Sequence, residues 1–426
     1  MPSTNVPIKP SQFSDLEPTP LDGPFALDAA YRKDTHEKKV NLGIGAYRDD
    51  QGQPWVLSAV KEAKQKLTSS AGWLHEYLPP QGDEDFLQSA KAVLFGRSLS
   101  SSDESAIASV QTVSGTGANS LAARFAGRYI RPGQIWLPDP TWINHFKIWS
   151  ENAPDVPQRQ YPYYNPATLS FDFDGMVDKL RREAVAGDAV LLHACAHNPT
   201  GLDPTQQQWR DIAALCEEKQ LFAIFDVAYQ GFASGNLDSD AWAVQHFLTS
   251  CPNLEFAACQ SFSKNFGLYG ERLGVLHFVT SRHLEASTAA LAVRSRLVAL
   301  QRSDISTTPR FGSDVAGLVL SSSDLFAMWL NDLEVMTGRL KGMRIALYAE
   351  LVRLGTPGDW THLIKQRGMF CYTGLTKKHA AVLRSQYHVY MLDTGRLSVC
   401  GLTTDNVKYV AKSIHQAVLC TETEAL

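Results

Sequence analysis

Residues 260–274 read QSFSKNFGLYGERLG, and Lys264 at their centre is the residue around which the chain is organised. The apolar run Leu254 to Cys259 just before it predicts a buried strand, so Lys264 is presented where that strand ends and the chain turns. Ser261, Ser263, Gly267, Gly270 and Arg272 surround it with hydroxyls, free backbone N–H groups and a fixed cation, a set that suits a phosphate. A lysine ammonium desolvated beside a second cation loses basicity and becomes a nucleophilic amine, able to hold an aldehyde as a Schiff base. A Ser/Gly-rich turn carrying Lys and Arg is, taken alone, more often a solvated loop. The partners of such a lysine must therefore be found elsewhere in the chain.

Moving outward, apolar strands alternate with helical periods. Val110 to Val113 predicts a strand, and Ser114-Gly115-Thr116-Gly117-Ala118 opens a helix through about Arg128, whose N-terminus can hold a phosphate. Gln134 to Leu137 leads to Pro138-Asp139-Pro140-Thr141-Trp142, where Trp142 is either a flat cover for an aromatic ring or core. Ala189 to Ala194 runs into His197-Asn198-Pro199-Thr200-Gly201, a turn that projects an amide. Leu221 to Phe225 ends in Asp226-Val227-Ala228-Tyr229, and a carboxylate buried there requires a cationic or hydrogen-bonding partner. Helical stretches, Pro204 to Lys219 and Asp240 to Thr249, separate these strands. The pattern predicts an α/β fold with a mostly parallel, doubly wound sheet, whose ligands bind at the carboxyl ends of the strands; Ser114, Trp142, Asn198, Asp226 and Lys264 all fall there. Val40 to Tyr47, VNLGIGAY, reads as a strand whose glycines let a ligand approach the Gly45 backbone. Tyr77 lies in the loop between helices Ser58 to Leu67 and Glu84 to Phe95, and a long helix from about Asp324 to Leu354 leads to a second lobe containing Arg396.

With 426 residues and 44% hydrophobic content, the chain can bury more than one core, and two lobes are expected. The division is read as an N-terminal arm at 1–23, a small domain from 24–55 and 336–426, and a large domain at 56–335. A net charge of −4 gives no field for nucleic acid or an anionic membrane, and no apolar run reaches the roughly 18–20 residues of a membrane span. Met1 to Pro20 shows neither an apolar signal core nor an Arg-rich transit pattern, so a cytoplasmic protein is expected. Seven cysteines without Cys-x-x-Cys spacing read as reduced thiols, with no metal site.

One ligand accounts for the groups gathered at the strand ends: pyridoxal 5'-phosphate, which requires an imine lysine, a partner for its ring nitrogen, ring contacts and a phosphate cup. Lys264 is the lysine, and Asp226 keeps the ring nitrogen protonated. Tyr229 and Asn198 reach the phenolic oxygen, while Ser114, Gly115, Thr116, Ser261 and Arg272 hold the phosphate. The chain resembles the class I aminotransferases, specifically the aspartate aminotransferase family, from about Phe25 to Val418. The motifs that carry the resemblance are VNLGIGAYRDD, HEYLP, SGTGA, PDPTW, HACAHNPTGLDP, FDVAYQGFASGNLD, SFSKNFGLYGERLG, QRGMF and GRLSVCGLT. The resemblance implies a fold type I enzyme that exchanges amino groups between L-aspartate, or a related amino acid, and 2-oxoglutarate in ping-pong fashion, giving oxaloacetate and L-glutamate, with Lys264 as base. It further implies a homodimer with shared active sites, in which Tyr77 and Arg302 of one subunit serve the cofactor and substrate of the other and the arm packs on the partner. Arg396 would clamp the α-carboxylate, with Asn198, Trp142 and the Gly45 backbone around it; Arg302 would bind the side-chain carboxylate; His145 and His193 would support Asp226 from behind.

Departures from the family pattern cluster at the distal end of the substrate. After Arg302 the chain reads SDISTTP where an aromatic and Asn-Pro-Pro are usual, and Asp304 either pairs with Arg302, weakening it as a carboxylate reader, or points to water. Pro24-Phe25 replaces a smaller aliphatic pair, and Ile143 stands where Gly or Pro is common. The competing readings are a specialised enzyme of the same cofactor (another transaminase, a decarboxylase, lyase or oxidase) and a non-enzymatic binding protein on the same fold. A nicotinamide dehydrogenase fits poorly, because Ser114 to Gly117 lacks the later glycine and the acidic ribose partner.

Overall fold

The structure, a computed structural model, describes residues 11–282 and 286–423; the first ten residues of the expected N-terminal arm lie outside the described residues. Its centre is a seven-stranded sheet formed by β1 (Ile107–Val113), β2 (Ile135–Asp139), β3 (Gln158–Pro162), β4 (Ala189–His193), β5 (Phe222–Val227), β6 (Phe256–Ser261) and β7 (Leu273–Val279). The spatial order is β1-β7-β6-β5-β4-β2-β3. Strands β6, β5, β4, β2 and β3 are mutually parallel, whereas β7 runs antiparallel to both β6 and β1. Two antiparallel steps restore the direction of β1, so the ends of β1, β2, β4, β5 and β6 and the start of β7 share one edge. This is the α/β, mostly parallel sheet that the alternating pattern predicts, with β7 as its reversed member.

Most strands are continuous apolar runs because helices cover both sheet faces. Two large buried clusters lie on either side: Trp136, Phe225, Phe247 and Phe256 belong to one, and Leu137, Leu191, Ile224 and Leu276 to the other. The edge strand β3 reads QRQYP, and two of its five residues are exposed, which is why apolar periodicity does not reveal it.

Val40 to Tyr47 departs from expectation. Only Val40–Asn41 forms a strand, paired with Val389–Tyr390. The following backbone is engaged elsewhere: Ser398 N–H donates to Leu42 O at 2.6 Å, Arg396 Nη2 donates to Gly43 O at 2.9 Å, and Tyr47 N–H donates to the Tyr269 hydroxyl at 2.9 Å. A ladder partner cannot form where these groups are already bonded.

The long helix Ser323–Arg353 buries Trp329, Leu333, Met336, Leu340 and Leu347 in a third cluster, together with Leu397, Val399 and the closing helix Val407–Thr423. We propose the division at residues 55 and 336 as the boundary between the two lobes. No helix among the described residues is long and apolar enough to cross a membrane.

Beneath the helix Glu84–Phe95, His277 lies between Ser109 Oγ at 2.7 Å and Gln260 Oε1 at 3.1 Å. Burial, with Lys91 adding to it, pulls His277 down to about 3. Burial likewise drives His193 to about 3 and His197 well below its ordinary value. All three sites are lowered on folding, so below about pH 6.5 the unfolded chain binds more protons and stability falls with falling pH. Each histidine contributes about 1.4 kcal/mol per pH unit to that slope. Denaturant titrations of H277Q between pH 6.5 and 4.5 are expected to show a slope shallower by one proton than the unsubstituted chain; equal slopes would refute the assignment.

Candidate active site

Lys264 follows β6 by three residues and is partly buried. Its Nζ lies 5.0 Å from the centroid of the Tyr229 ring. Burial lowers its basicity; Asp226 opposes that shift, and Arg272 reinforces it, so the net direction is downward. A lysine lowered this way carries more of the neutral, nucleophilic amine near pH 7 than an exposed lysine does.

Asp226 stands near the end of β5 with its Cα opposite those of His193 on β4 and Cys259 on β6. Burial alone raises a carboxyl, yet Asp226 is lowered, because His145 hydrogen-bonds to it and His145, His193 and Lys264 favour its anion. With His193 held neutral, the direct contact from His145 Nε2 to Asp226 Oδ2, 3.2 Å, is the main support of that anion. Behind it runs a relay. Thr141 Oγ1 is 2.9 Å from His145 Nδ1 and 3.0 Å from His193 Nε2, and the Asn198 N–H donates to His193 Nδ1 at 3.5 Å. An accepting Nδ1 on neutral His193 puts its proton on Nε2, which donates to Thr141; the Thr141 hydroxyl then donates to His145 Nδ1, leaving the His145 Nε2–H to face Asp226.

The phosphate-type cup is formed by the end of β1, the end of β6 and the start of β7. Ser114 and Arg272 both adopt left-handed backbone, with φ of 65° and 55°. Such conformations cost on the order of 1–3 kcal/mol each and persist where surrounding contacts hold them. Here the Ser114 N–H donates to Arg272 O at 2.8 Å, Arg272 Nη2 donates to Ser114 Oγ at 2.6 Å, and Arg272 Nη1 donates to Tyr269 O at 2.9 Å. A Cβ on Gly115 would sit 2.8 Å from Ser261 Cβ, so the cup floor must be bare backbone at that point.

Arg396 enters from the second lobe and is almost fully buried. Its Nη1 donates to Asn198 Oδ1 at 3.4 Å, and its guanidinium lies 4.1 Å from the Phe370 ring centroid. Burial pulls it down to about 10, against the upward pull of Tyr229 and Asp22, and it remains a cation at neutral pH. Its Nε, buried, has no hydrogen-bond partner among the described residues. Burial also raises Tyr229, keeping its phenol protonated and able to donate.

A cavity of about 400 Å³ joins these groups. Gly45, Ser114, Gly115, Thr116, Trp142, Asn198, Asp226, Tyr229, Ser261, Lys264, Arg272 and Arg396 all line it, as does Phe25, 69% exposed at the mouth. Tyr77 and Arg302 do not line the cavity of their own chain; Tyr77 is 82% exposed, and Arg302 is exposed on the helix Ala286–Asp304. A larger cavity of about 970 Å³, walled in part by Ser234, Thr337 and Arg344, contains neither Lys264 nor Asp226. Sequence reasoning did not single out Thr141, Tyr269 or Phe370. The motifs PDPTW, SFSKNFGLYGERLG and QRGMF contain one each, but their contacts depend on tertiary approach. Asp304, for which pairing with Arg302 was one of two readings, instead pairs with Arg124 at 3.4 Å.

The donor set fits pyridoxal phosphate: a cation-and-hydroxyl cup with a floor too tight for a side chain, a buried carboxylate opposite, a lysine of lowered basicity between them, and a buried guanidinium with an unused N–H. Comparison with known proteins agrees. The sequence profile described as "Aminotransferase class I and II" matches residues 37–414. An L-tyrosine:2-oxoglutarate aminotransferase of Aspergillus ustus is 44% identical over 95% of this chain and 78% of its own length. A cytoplasmic aspartate aminotransferase of Schizosaccharomyces pombe is 43% identical over 95% of this chain and 98% of its own. Among solved structures, aspartate aminotransferase from Saccharomyces cerevisiae cytoplasm superposes with a TM-score of 0.93 at 39% identity, covering 96% of this chain and 99% of that one. An aromatic-amino-acid aminotransferase from Burkholderia pseudomallei, covalently bound to pyridoxal phosphate, gives 0.90 at 34% identity, over 96% and 100%. The fold and family define a pyridoxal-phosphate-dependent transaminase. The chain belongs to the class I and II aminotransferases, with the architecture of the aspartate aminotransferases.

Replacing Thr141 by Val removes the hydroxyl shared by two buried imidazoles, leaving ring nitrogens unpartnered at a cost of about 1–3 kcal/mol each. T141V is expected to lower the melting temperature and the affinity for pyridoxal phosphate, measured by fluorescence titration, while T141S retains both. Equal behaviour of T141V and the unsubstituted chain would remove the relay from the account.

Proposed function

We propose that the chain transaminates L-aspartate with 2-oxoglutarate, giving oxaloacetate and L-glutamate, with the roles assigned above to the cavity residues. The observation that carries the reading is the convergence on one cavity of Lys264, lowered by burial, the anionic Asp226 and the buried cation Arg396. Bound pyridoxal phosphate supplies a reactive carbonyl and an electron-withdrawing ring that makes the substrate α-proton acidic. Ser114, Thr116, Ser261, Arg272 and the Gly115 backbone would hold its phosphate, Trp142 its ring face, Asp226 its ring nitrogen, and Asn198 and Tyr229 its phenolic oxygen. Lys264 Nζ would hold the cofactor's carbonyl end and serve as the base positioned to take the substrate α-proton. Arg396 binds the α-carboxylate, with Asn198 and the Gly45 backbone beside it, through a guanidinium whose Nε is otherwise unused.

We extend the reading to a homodimer in which Tyr77 and Arg302 complete the partner's site. Several contacts support it. The loop bearing Tyr77 and the segment bearing Arg302 form one outward unit: Gln301 Nε2 donates to Pro80 O at 2.8 Å, Arg310 Nη1 to Glu76 O at 3.4 Å, and Trp73 Nε1 to Asp314 Oδ2 at 2.7 Å. Leu74 on that loop is 65% exposed, and Leu291 on the Arg302 helix 67%, apolar side chains that another subunit would bury. The cytoplasm is the compartment we propose; several of the relatives are named cytoplasmic, and others mitochondrial.

A second reading, transamination of an amino acid with an apolar side chain, is favoured by one observation. A cleft of about 690 Å³ adjoins the cavity through Trp142, Asn198 and Arg396, and Leu27, Ile143, Phe146 and Met391 line it. The experiment is to add L-aspartate to the cofactor-loaded protein, follow the loss of visible absorbance, then add 2-oxoglutarate and assay glutamate. Loss and recovery of absorbance with glutamate formed is the expected result, and K264A should abolish it. R302A should lower kcat/KM for aspartate by one to two orders of magnitude, the equivalent of about 1.5–3 kcal/mol, with little change for L-tyrosine. A protein that turns over tyrosine but leaves aspartate untouched would replace the first reading by the second.

A further inference from the structure

We propose that Asp304 and Arg124 are positioning residues for Arg302: their ion pair straps the last turn of the Arg302 helix to the helix that opens on the phosphate cup, and thereby tunes use of dicarboxylic substrates. The inference rests on the reading that Arg302 binds a distal carboxylate.

Arg302 lies in the final turn of Ala286–Asp304. Residues two apart on a helix do not face one another, so Asp304 and Arg302 point to different sides. Arg302 Nη1 donates to Ser306 Oγ, just beyond the helix end. Asp304 Oδ2 lies 3.4 Å from Arg124 Nη2, and the same nitrogen donates to Asn152 Oδ1 at 3.2 Å. Arg124 occupies the last turn of Ser114–Phe125, the helix that begins with the Ser114, Gly115 and Thr116 of the cup. On the other side of Arg302, buried Gln301 is tied to Pro80 O at 2.8 Å. Arg302 therefore sits between two tethers: one to the Tyr77 loop, the other through Asp304 to the cup helix. Among the described residues, the Ser303 hydroxyl bonds only within its own turn, to Leu300 O. Without the Asp304 tether the terminal turn frays more readily, and holding Arg302 in place on substrate binding then costs more conformational entropy. Substrates lacking a distal carboxylate make no use of that order.

The strap is partly exposed, 53% at Asp304 and 30% at Arg124, so its effect is modest. In cofactor-loaded enzyme, D304A and R124A are each expected to weaken binding of unreactive succinate, and kcat/KM for L-aspartate, by about three- to fivefold. Turnover of L-phenylalanine should stay within about twofold in both. D304E and R124K should retain most of the affinity, and the double variant should be no weaker than the worse single one, because both substitutions break the same contact. Melting temperature and cofactor absorbance check that each variant is folded and loaded. Tighter succinate binding in D304A would show that Asp304 neutralises Arg302, and unchanged binding would show that the strap has no role; either overturns the proposal. If R302A itself leaves succinate binding unchanged, the distal-carboxylate reading fails and the proposal falls with it. If R302A weakens binding while D304A and R124A do not, the strap alone is wrong.

Discussion

The structure depends on one carboxylate kept ionised inside the protein. Asp226 is the penultimate residue of an otherwise apolar strand, and a charge buried there without partners would be expelled or neutralised. The chain meets this with geometry: β4 runs parallel to β5 and places His193 opposite Asp226, while the turn after β2 leads into a helix that brings His145 within 3.2 Å. Thr141 fixes both imidazoles at once. The anion is thus supported by groups that are themselves buried and oriented before any ligand arrives, the condition for electrostatic preorganisation. Burial and Arg272 lower Lys264 while the same anion raises it, and the net direction is downward.

The sheet topology makes this convergence possible. Six parallel strands deliver their ends to one edge, and the reversed β7 delivers its beginning to the same edge, so Ser114, Ser261 and Arg272 meet although more than 140 residues separate the first from the other two. The reversal has a local consequence. Gly274 packs so tightly that a Cβ there would lie 2.4 Å from Ser114 C, and the two left-handed residues Ser114 and Arg272 lock each other by reciprocal hydrogen bonds.

Strand ends were legible because apolar runs stop at a recognisable polar residue, and Asn198, Asp226 and Lys264 announce themselves that way. The helix Glu84–Phe95 matches the span expected for it; Asp83 caps it by accepting from Phe86 N–H at 2.7 Å, and Gly96 follows it. The strand expected over Val40 to Tyr47 was not realised beyond Asn41, because its apolar pattern serves packing while its carbonyls serve Arg396 and Ser398. Strand β3 was hidden by its polar, edge-type sequence. Asp304 could not be assigned a partner from sequence, because Arg124 is 180 residues away and only folding brings the ends of their helices together. Arg302 and Tyr77 differ in kind: folding of a single chain leaves both outside its own cavity, and their assignment comes from resemblance.

The two guanidiniums proposed for substrate binding are held very differently, and this bears on selectivity. Arg396 is buried, fixed against Asn198, Gly43 O and Phe370, and surrounded by low-dielectric material where a charge-assisted bond is strong. Arg302 is exposed at a helix end and, among the described residues, donates to the Ser306 hydroxyl. The α-carboxylate common to every amino acid is therefore met by a buried, preorganised group in Arg396, whereas a distal carboxylate is met by a solvent-exposed group in Arg302. The common step of the chemistry is assigned to the buried end and the choice among amino acids to the exposed end. Small changes around Arg302, such as Asp304, can thus shift substrate preference while leaving the Lys264–Asp226 centre untouched.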